Sequence, residues 1–494
     1  MSRFAPRRRR ERGKDEDKPL PLSASLLFIL VAGLALSLFC AAATPPWQVP
    51  DEPQHLQMAR LLADLGHWPT LTDVWGATDM RDQIYESLVQ NRFWEIRAHR
   101  SPPPSLWEGT APDVLLPPIY VPPGYYSLAA GVLRVMGSAP LDAQRIVLRL
   151  LSALAGLAEL YFIFRMSRLI SPGQRALVLA ATAFAAFLPM RAYITGGVSS
   201  DPLAAMASAA ALWAMLAWVR RPLTPARGAA LGLLLAAALL TKRTTAFLLP
   251  LLAVFLILNR RNEPRMTRIN ANEGISVESH GSRPSWIGAG LLFLCLVIPL
   301  VAWTLGRPAL AQPGEAWPYP GGAPGGLFGT FPEWLARPFS TEAWSLSALR
   351  QYAVSLGVTF ASFWGNFGWL TIPLGLEWYA ALAILTGLAG LGLARAAWKQ
   401  RGHLQPETAL VAWAAAFALA QVVAAMVSQG IPQQGRYLFP ALGPIACGLV
   451  RGWAEWLPER ARRILPLAVG VGMLALFAVS MSYFLTRVRG FGIM

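Results

Sequence analysis

The stretch Leu26-Leu27-Phe28-Ile29-Leu30-Val31-Ala32-Gly33-Leu34-Ala35-Leu36-Ser37-Leu38-Phe39-Cys40-Ala41-Ala42-Ala43 carries no charged residue. As a helix it has the length needed to cross the roughly 30 Å of hydrocarbon in a bilayer. Runs of the same character recur to the C-terminus. With 54% hydrophobic and only 14% charged residues in 494, the chain is built for lipid rather than water. In lipid every backbone polar group needs an internal partner, so such runs form helices, and the fold class is an all-α polytopic membrane bundle. Long unbroken apolar runs exclude a closed β-barrel, whose strands alternate.

Upstream of this helix, residues 1–22 mix the run Arg7-Arg8-Arg9-Arg10 with acids and read as a disordered, basic cytoplasmic tail. Ala41-Ala42-Ala43 resembles a small-residue cleavage site. The apolar run before it is longer than a signal h-region, so a retained signal anchor is expected. The formal charge of +16 does not point to nucleic acid, because the Lys and Arg residues sit in short loops between apolar segments rather than on one face. Cys40, Cys295 and Cys447 lie in apolar segments without paired spacing and read as small buried hydrophobes.

Positive charge belongs on the cytoplasmic side, and that rule orients the chain. With the tail inside, the first helix leads to an outer loop, 44–142. Arg165, Arg168 and Arg175 mark one inner loop, Arg220, Arg221 and Arg227 the next, and the polar connection 259–285 a third. Arg395, Lys399 and Arg401, then Arg451 to Arg463, mark later ones. The segments 120–137 and 350–370 would break this alternation if they crossed, so they read as juxtamembrane or re-entrant helices on the outer face. About eleven spans remain, in one domain from 23 to 494. The Pro-, Gly- and Trp-rich stretch 306–350 reads as an outer interfacial loop.

Beyond the first helix comes Pro50-Asp51-Glu52-Pro53-Gln54-His55, where Asp51 and His55 share a face of a helical pattern continued by Met58, Leu61, Leu62 and Leu65. Local physics leaves two readings. Asp51 is an N-cap with Pro53 in the first turn, or it is a carboxylate placed to take a proton from an acceptor hydroxyl or amine. Ser199-Ser200-Asp201-Pro202 poses the same choice. Thr241-Lys242-Arg243-Thr244 puts cations on the outer side, where they would snorkel or pair with a lipid phosphate. Glu159 lies mid-segment and reads either as a functional acid or as a packing partner. One His with two carboxylates is thin support for a metal, so a divalent ion on Asp51, Glu52 and Asp201 stays open.

The run Pro50 to His55, followed by Gly66-His67-Trp68-Pro69, resembles the first-loop signature of GT-C membrane glycosyltransferases, in particular DUF2142-like proteins and relatives of the protein O-mannosyltransferases and the lipid A aminoarabinose transferase. The resemblance extends over most of the chain. Pro117-Pro118-Ile119-Tyr120 and Pro122-Pro123-Gly124-Tyr125-Tyr126 look like the family's Pro-Pro juxtamembrane helix, with Leu116 where a Lys is usual, and Arg149 with Ser152 resembles an Arg-Leu-x-Ser run. Phe363 to Trp369 looks like its aromatic cover, and Gln433-Gln434-Gly435-Arg436-Tyr437 like its Gln-Gly-Arg-Tyr run.

What the resemblance implies is a transfer of sugar from a polyprenyl-phosphate donor to a glycan, lipid or protein acceptor outside the cytoplasm. It implies Asp51 as base, with Glu52, His55 and Asp201 in the catalytic group. Lys242, Arg243, Gln434, Arg436 and Tyr437 would serve the donor phosphate. The bias toward Ala, Leu, Arg and Pro is that of a GC-rich bacterial genome, which would place the chain in a bacterial plasma membrane. A transporter or flippase of a lipid-linked substrate is the rival. It would place its site at mid-membrane in broken helices and repeats. No repeat is visible and the acids cluster at helix ends, while Gly196-Gly197 and Glu159 keep the rival in play.

Overall fold

The computed structural model describes residues 24–104, 114–261, 285–306, 340–399, 404–429 and 433–491. The basic tail and most of the connections expected at 259–285 and 306–350 lie outside the described residues.

Among the described residues eighteen α-helices dominate, numbered here in chain order. They are α1 (Ala24–Ala43), α2 (Glu52–Leu65), α3 (Leu71–Gly76), α4 (Thr78–Gln90), α5 (Phe93–Ala98), α6 (Gly124–Met136), α7 (Leu141–Ile170), α8 (Arg175–Phe187) and α9 (Pro189–Thr195). There follow α10 (Asp201–Trp218), α11 (Pro225–Thr241), α12 (Leu248–Arg261), α13 (Ser285–Gly306), α14 (Leu346–Trp364), α15 (Leu376–Lys399), α16 (Pro406–Gln429), α17 (Leu442–Ala454) and α18 (Leu465–Arg489). Two short strands, β1 (Asn366–Phe367) and β2 (Ile372–Pro373), pair antiparallel.

Among the described residues eight helices are long and apolar enough to cross a bilayer, and a ninth span results if α8 and α9 count as one. That pair bends by 58° at Leu188-Pro189, where the proline removes an amide donor from the helical ladder. The sequence leads to about eleven spans. The other two appear as shorter elements. The segment near 227–242 is α11, of 17 residues. The segment near 434–450 begins as a 3-10 turn, Gly435–Ala441, and becomes α-helical only at Leu442, past Pro440. The segments read as non-spanning, now α6 and α14, are not among the eight.

The main core lies where α1, α8, α10 and α17 meet around α7, with α18 against α8 and α15 against α17. The Ala-rich faces of α8 and α10, including Ala180, Ala183, Ala185, Ala207 and Ala211, are buried. Lipid tails are as apolar as Leu, so close backbone approach between small residues is what favours helix association in a bilayer. Phe293, Ile298, Ile384 and Leu391, on α13 and α15, are exposed in the way a lipid-facing surface requires.

A second core forms from the connection between α1 and α7. Here α2 packs on α6, burying Leu56, Met58, Leu61 and Leu62 against Tyr125, Tyr126 and Leu133. Amphipathic α2 and α6 thus sit as a cap on one end of the bundle. The free cysteines Cys40 and Cys447 are buried and Cys295 is partly so.

Candidate active site

The site begins with a staple. Arg149, buried on α7, donates to the carbonyls of Ala41 and Thr44 at 2.7 and 2.8 Å and of Pro45 at 3.2 Å. The same guanidinium holds Glu52 through two bonds of 2.7 and 2.8 Å. Glu52 is fully buried and also accepts from the amides of Trp47 (2.9 Å) and Val198 (3.1 Å). Burial alone would raise its pKa, but Arg149 and these donors outweigh it and hold the carboxyl below the ordinary value. Both oxygens of Glu52 are therefore committed to fixing the chain between α1 and α2.

That fixed stretch delivers Asp51 in an unusual state. Its backbone has φ +65°, a left-handed conformation, and its side chain makes no capping bond to α2. Asp tolerates this region better than most residues. The carboxylate points instead to Arg436, which donates from Nη2 to Oδ2. Arg436 is fully buried, and its Nη1 lies 3.2 Å from Oδ2 of Asp201. Asp201, at the first position of α10, accepts from Lys242 Nζ at 2.6 Å and from the Ser199 hydroxyl at 3.2 Å, while its own amide donates to that hydroxyl at 3.1 Å. Neither acid caps its helix with its side chain. Both instead join one chain of charges, Asp51–Arg436–Asp201–Lys242.

Three elements aim these groups. Lys242 follows the last turn of α11. Its ammonium lies 5.7 Å, and the Arg436 guanidinium 5.5 Å, from the centre of the Tyr437 ring. The approach to Arg436 is held by α14, where Thr359 donates to the Gln433 carbonyl at 2.7 Å and the Gly435 amide to Ser362 Oγ at 2.8 Å. A Cβ on Gly435 would stand 2.2 Å from the Phe363 amide nitrogen, so only glycine fits there. Gly197 is required in the same way, its would-be Cβ meeting Val49 at 2.4 Å.

His55 completes the group from α2. It is buried, its Nδ1 is 2.7 Å from the Tyr126 hydroxyl, and its Nε2 has no partner. Burial pushes its pKa down to about 4 against the pull of Asp51, so the ring is neutral at pH 7. For Asp51 the balance falls the other way. Burial raises it, yet Arg436 beside it keeps the carboxyl below its usual value. The stretch Phe363 to Trp369 lies over the Trp47-Gln48 backbone, with Trp369 Nε1 donating to the Trp47 carbonyl at 3.0 Å. The Tyr193 hydroxyl ties the two together, donating to the Gln48 carbonyl at 2.6 Å and accepting from the Gly368 amide at 3.1 Å.

Not every candidate converges. Arg243 turns away and donates to the Tyr120 carbonyl at 2.9 Å. Gln434 stays adjacent, its Oε1 buried without a partner. The metal left open on Asp51, Glu52 and Asp201 does not fit. Arg436 occupies the space between Asp51 and Asp201, and Glu52 is bound to Arg149, so the three carboxylates do not converge. Among the described residues no group of three or more His, Cys, Asp or Glu side chains could hold an ion.

Sequence reasoning missed the Arg149–Glu52 pair and the role of Tyr126. It also missed Arg191 of α9 as the partner of Glu159, 2.9 Å away and buried. An Arg inside an apolar segment, as Arg149 and Arg191 both are, was the available signal.

Residues 34–443, from α1 into α17 and including the whole charge cluster, match the family model described as predicted membrane protein, DUF2142. The chain belongs to the DUF2142 family. No curated protein matches it in sequence. Over 92% of its length this DUF2142 protein superposes on the oligosaccharyltransferase of Archaeoglobus fulgidus, crystallised with Zn and sulfate, with a TM-score of 0.51 at 12% identity. It covers 52% of that protein, about half its length. A second similarity, to ArnT from Cupriavidus metallidurans bound to undecaprenyl phosphate, spans 95% of this chain and 76% of that one with a TM-score of 0.47 at 14% identity. The first likeness shows a fold shared with that oligosaccharyltransferase.

Proposed function

We propose that this DUF2142 protein is a membrane glycosyltransferase that moves a sugar, with inversion, from a polyprenyl-phosphate donor to an acceptor on the extracytoplasmic face. The observation that carries this reading is the buried row Asp51–Arg436–Asp201–Lys242, two carboxylates alternating with two cations at one end of a membrane bundle. Asp51 is the one acid of the row open to a substrate, with 34% of its side chain exposed against 1% for Asp201.

In the step proposed, the Asp51 carboxylate takes the proton of an acceptor hydroxyl, and the acceptor oxygen attacks the anomeric carbon. The bond from that carbon to the phosphate oxygen breaks, and the electron pair leaves with the polyprenyl phosphate. Arg436 and Lys242 stabilise the charge that grows on the phosphate, in a site dry enough for such pairing to be strong. Asp201 orients the two cations, and His55, neutral and held by Tyr126, lines the acceptor side. Glu52 keeps the first loop in shape and takes no part in the chemistry.

The fold shared with an oligosaccharyltransferase supports the reaction class. The distribution of charge supports the proposed side of the membrane. The cluster lies where α1 ends and α10 begins, whereas Arg168, Arg220, Arg227 and Lys399 sit at the far ends of their helices. A glycan, a lipid and a protein remain the acceptor classes, and a bacterial plasma membrane is the setting this reading carries.

One observation favours transport of a lipid-linked substrate instead: the bent pair α8–α9 places the Arg191–Glu159 ion pair inside the bundle, as a broken-helix transporter would. Purified protein given polyprenyl-phosphate sugars decides between them. Native protein should transfer or hydrolyse the donor, and Asp51→Asn should be slower by ~10²–10⁴-fold, the range for losing a general base. Equal turnover in both removes Asp51 as base. Lipid crossing vesicles without donor turnover establishes the transporter.

A further inference from the structure

The charge row balances to zero without a ligand, which raises the question of where a donor phosphate finds its cation. Arg436 holds the answer in its geometry. Nη1 serves Asp201, and Nη2 serves Asp51. Nε is buried and has no partner. The Nε–H and Nη2–H of a guanidinium form one planar fork, matched to two oxygens of a phosphate or carboxylate. Asp51 uses half of that fork.

The two carboxylates are held very unequally. Asp201 is anchored by Lys242, by Ser199 and by Arg436, and its side chain is buried. Among the described residues Asp51 has Arg436 as its one ion-pair partner, its side chain makes no capping bond to α2, and its backbone is left-handed. A third of its side chain is exposed, 34% against 1% for Asp201. Nε2 of His55, on the same helix face as Asp51, is also buried without a partner. A phosphate would use both N–H groups of the Arg436 fork with two oxygens, where Asp51 uses one.

Resting on the glycosyltransferase reading, we propose that Asp51 and the donor phosphate are alternative occupants of the Nε/Nη2 edge of Arg436. In the free protein the ion pair masks the base. The phosphate takes the fork with two oxygens, Asp51 swings out, and the freed carboxylate meets the acceptor. Lys242 and Asp201 stay in place as the fixed half of the row. The exchange ties deprotonation of the acceptor to the presence of a donor.

The test is binding of a polyprenyl monophosphate to the purified full chain in detergent, with the unphosphorylated polyprenol as control. Asp51→Asn removes the competitor while keeping a side chain that tolerates the left-handed backbone. Asp51→Gly repeats the removal with the residue that this backbone favours, so a folding defect in one variant does not end the test. Both should bind the monophosphate tighter than native protein, by about tenfold, equivalent to one charge-assisted contact. Asp201→Asn, which removes the same charge from an anchored position, should bind no tighter. If neither Asp51 variant gains affinity, or if Asp201→Asn gains as much, the exchange is overturned. Donor turnover is read in parallel: turnover at the native rate in Asp51→Asn overturns the base reading itself, whereas lost turnover with unchanged affinity overturns the exchange alone.

Discussion

At the scale of single residues, neighbouring acids of one motif do different work, and only their partners distinguish them. Glu52 accepts four hydrogen bonds, two of them from the buried Arg149, so Glu52→Gln would leave Arg149 facing an amide NH2. Losing one partner of a buried pair costs ~3–5 kcal/mol. Thermal melting in detergent should therefore fall clearly for Glu52→Gln, while Asp51→Asn melts close to native and loses turnover. His55 gives a prediction with a definite sign. Its folded pKa of about 4 lies below the unfolded value near 6.5, so the unfolded chain binds the extra proton between those limits. The stability from burying neutral His55 is complete above pH 6.5 and is lost as pH falls toward 4, at most roughly 3 kcal/mol. Melting curves of His55→Gln should lack that loss, and an unchanged pH profile would show that His55 is not the group responsible.

At the scale of elements, the position of Arg436 depends on how closely a 3-10 turn approaches α14. The turn is pinned by Thr359 and Ser362, and Gly435 lets its backbone reach Phe363. Gly435→Ala should push the turn off α14 and move Arg436 away from Asp51. Donor turnover should drop by ~10²-fold, the scale of a catalytic group misplaced by an ångström, with a smaller fall in melting temperature. Turnover at the native level would mean that the turn has room the geometry denies. The two helices flanking this region were legible as apolar segments. The 3-10 start was not, because Pro440 and Gly435 affect hydrogen-bond pattern rather than hydropathy.

At the scale of the whole molecule, the proposed function puts the turn around Pro172, between α7 and α8, on the cytoplasmic side and the charge row on the other. A reporter fused after Pro172 should be active only as a cytoplasmic fusion, and an external signal would invert the assignment. Arg149 of α7 ties the start of α2 to the bundle, through Glu52 and the carbonyls of Ala41 and Thr44.

The sequence by itself determined that the chain is a helical membrane bundle and where most of its helices run, because hydrocarbon admits little else and apolar length is a one-dimensional property. It also brought Asp51, Asp201 and Lys242 into view as charged groups at the ends of apolar segments, and Arg436 through the family resemblance of the run Gln433 to Tyr437. The tertiary structure alone decided which of these groups touch. Pairing depends on the direction of side chains that lie up to 385 positions apart, and nothing local encodes that distance. It therefore separated Glu52 from Asp51, turned Arg243 away, put Arg436 between Asp51 and Asp201, and gave Glu159 to Arg191.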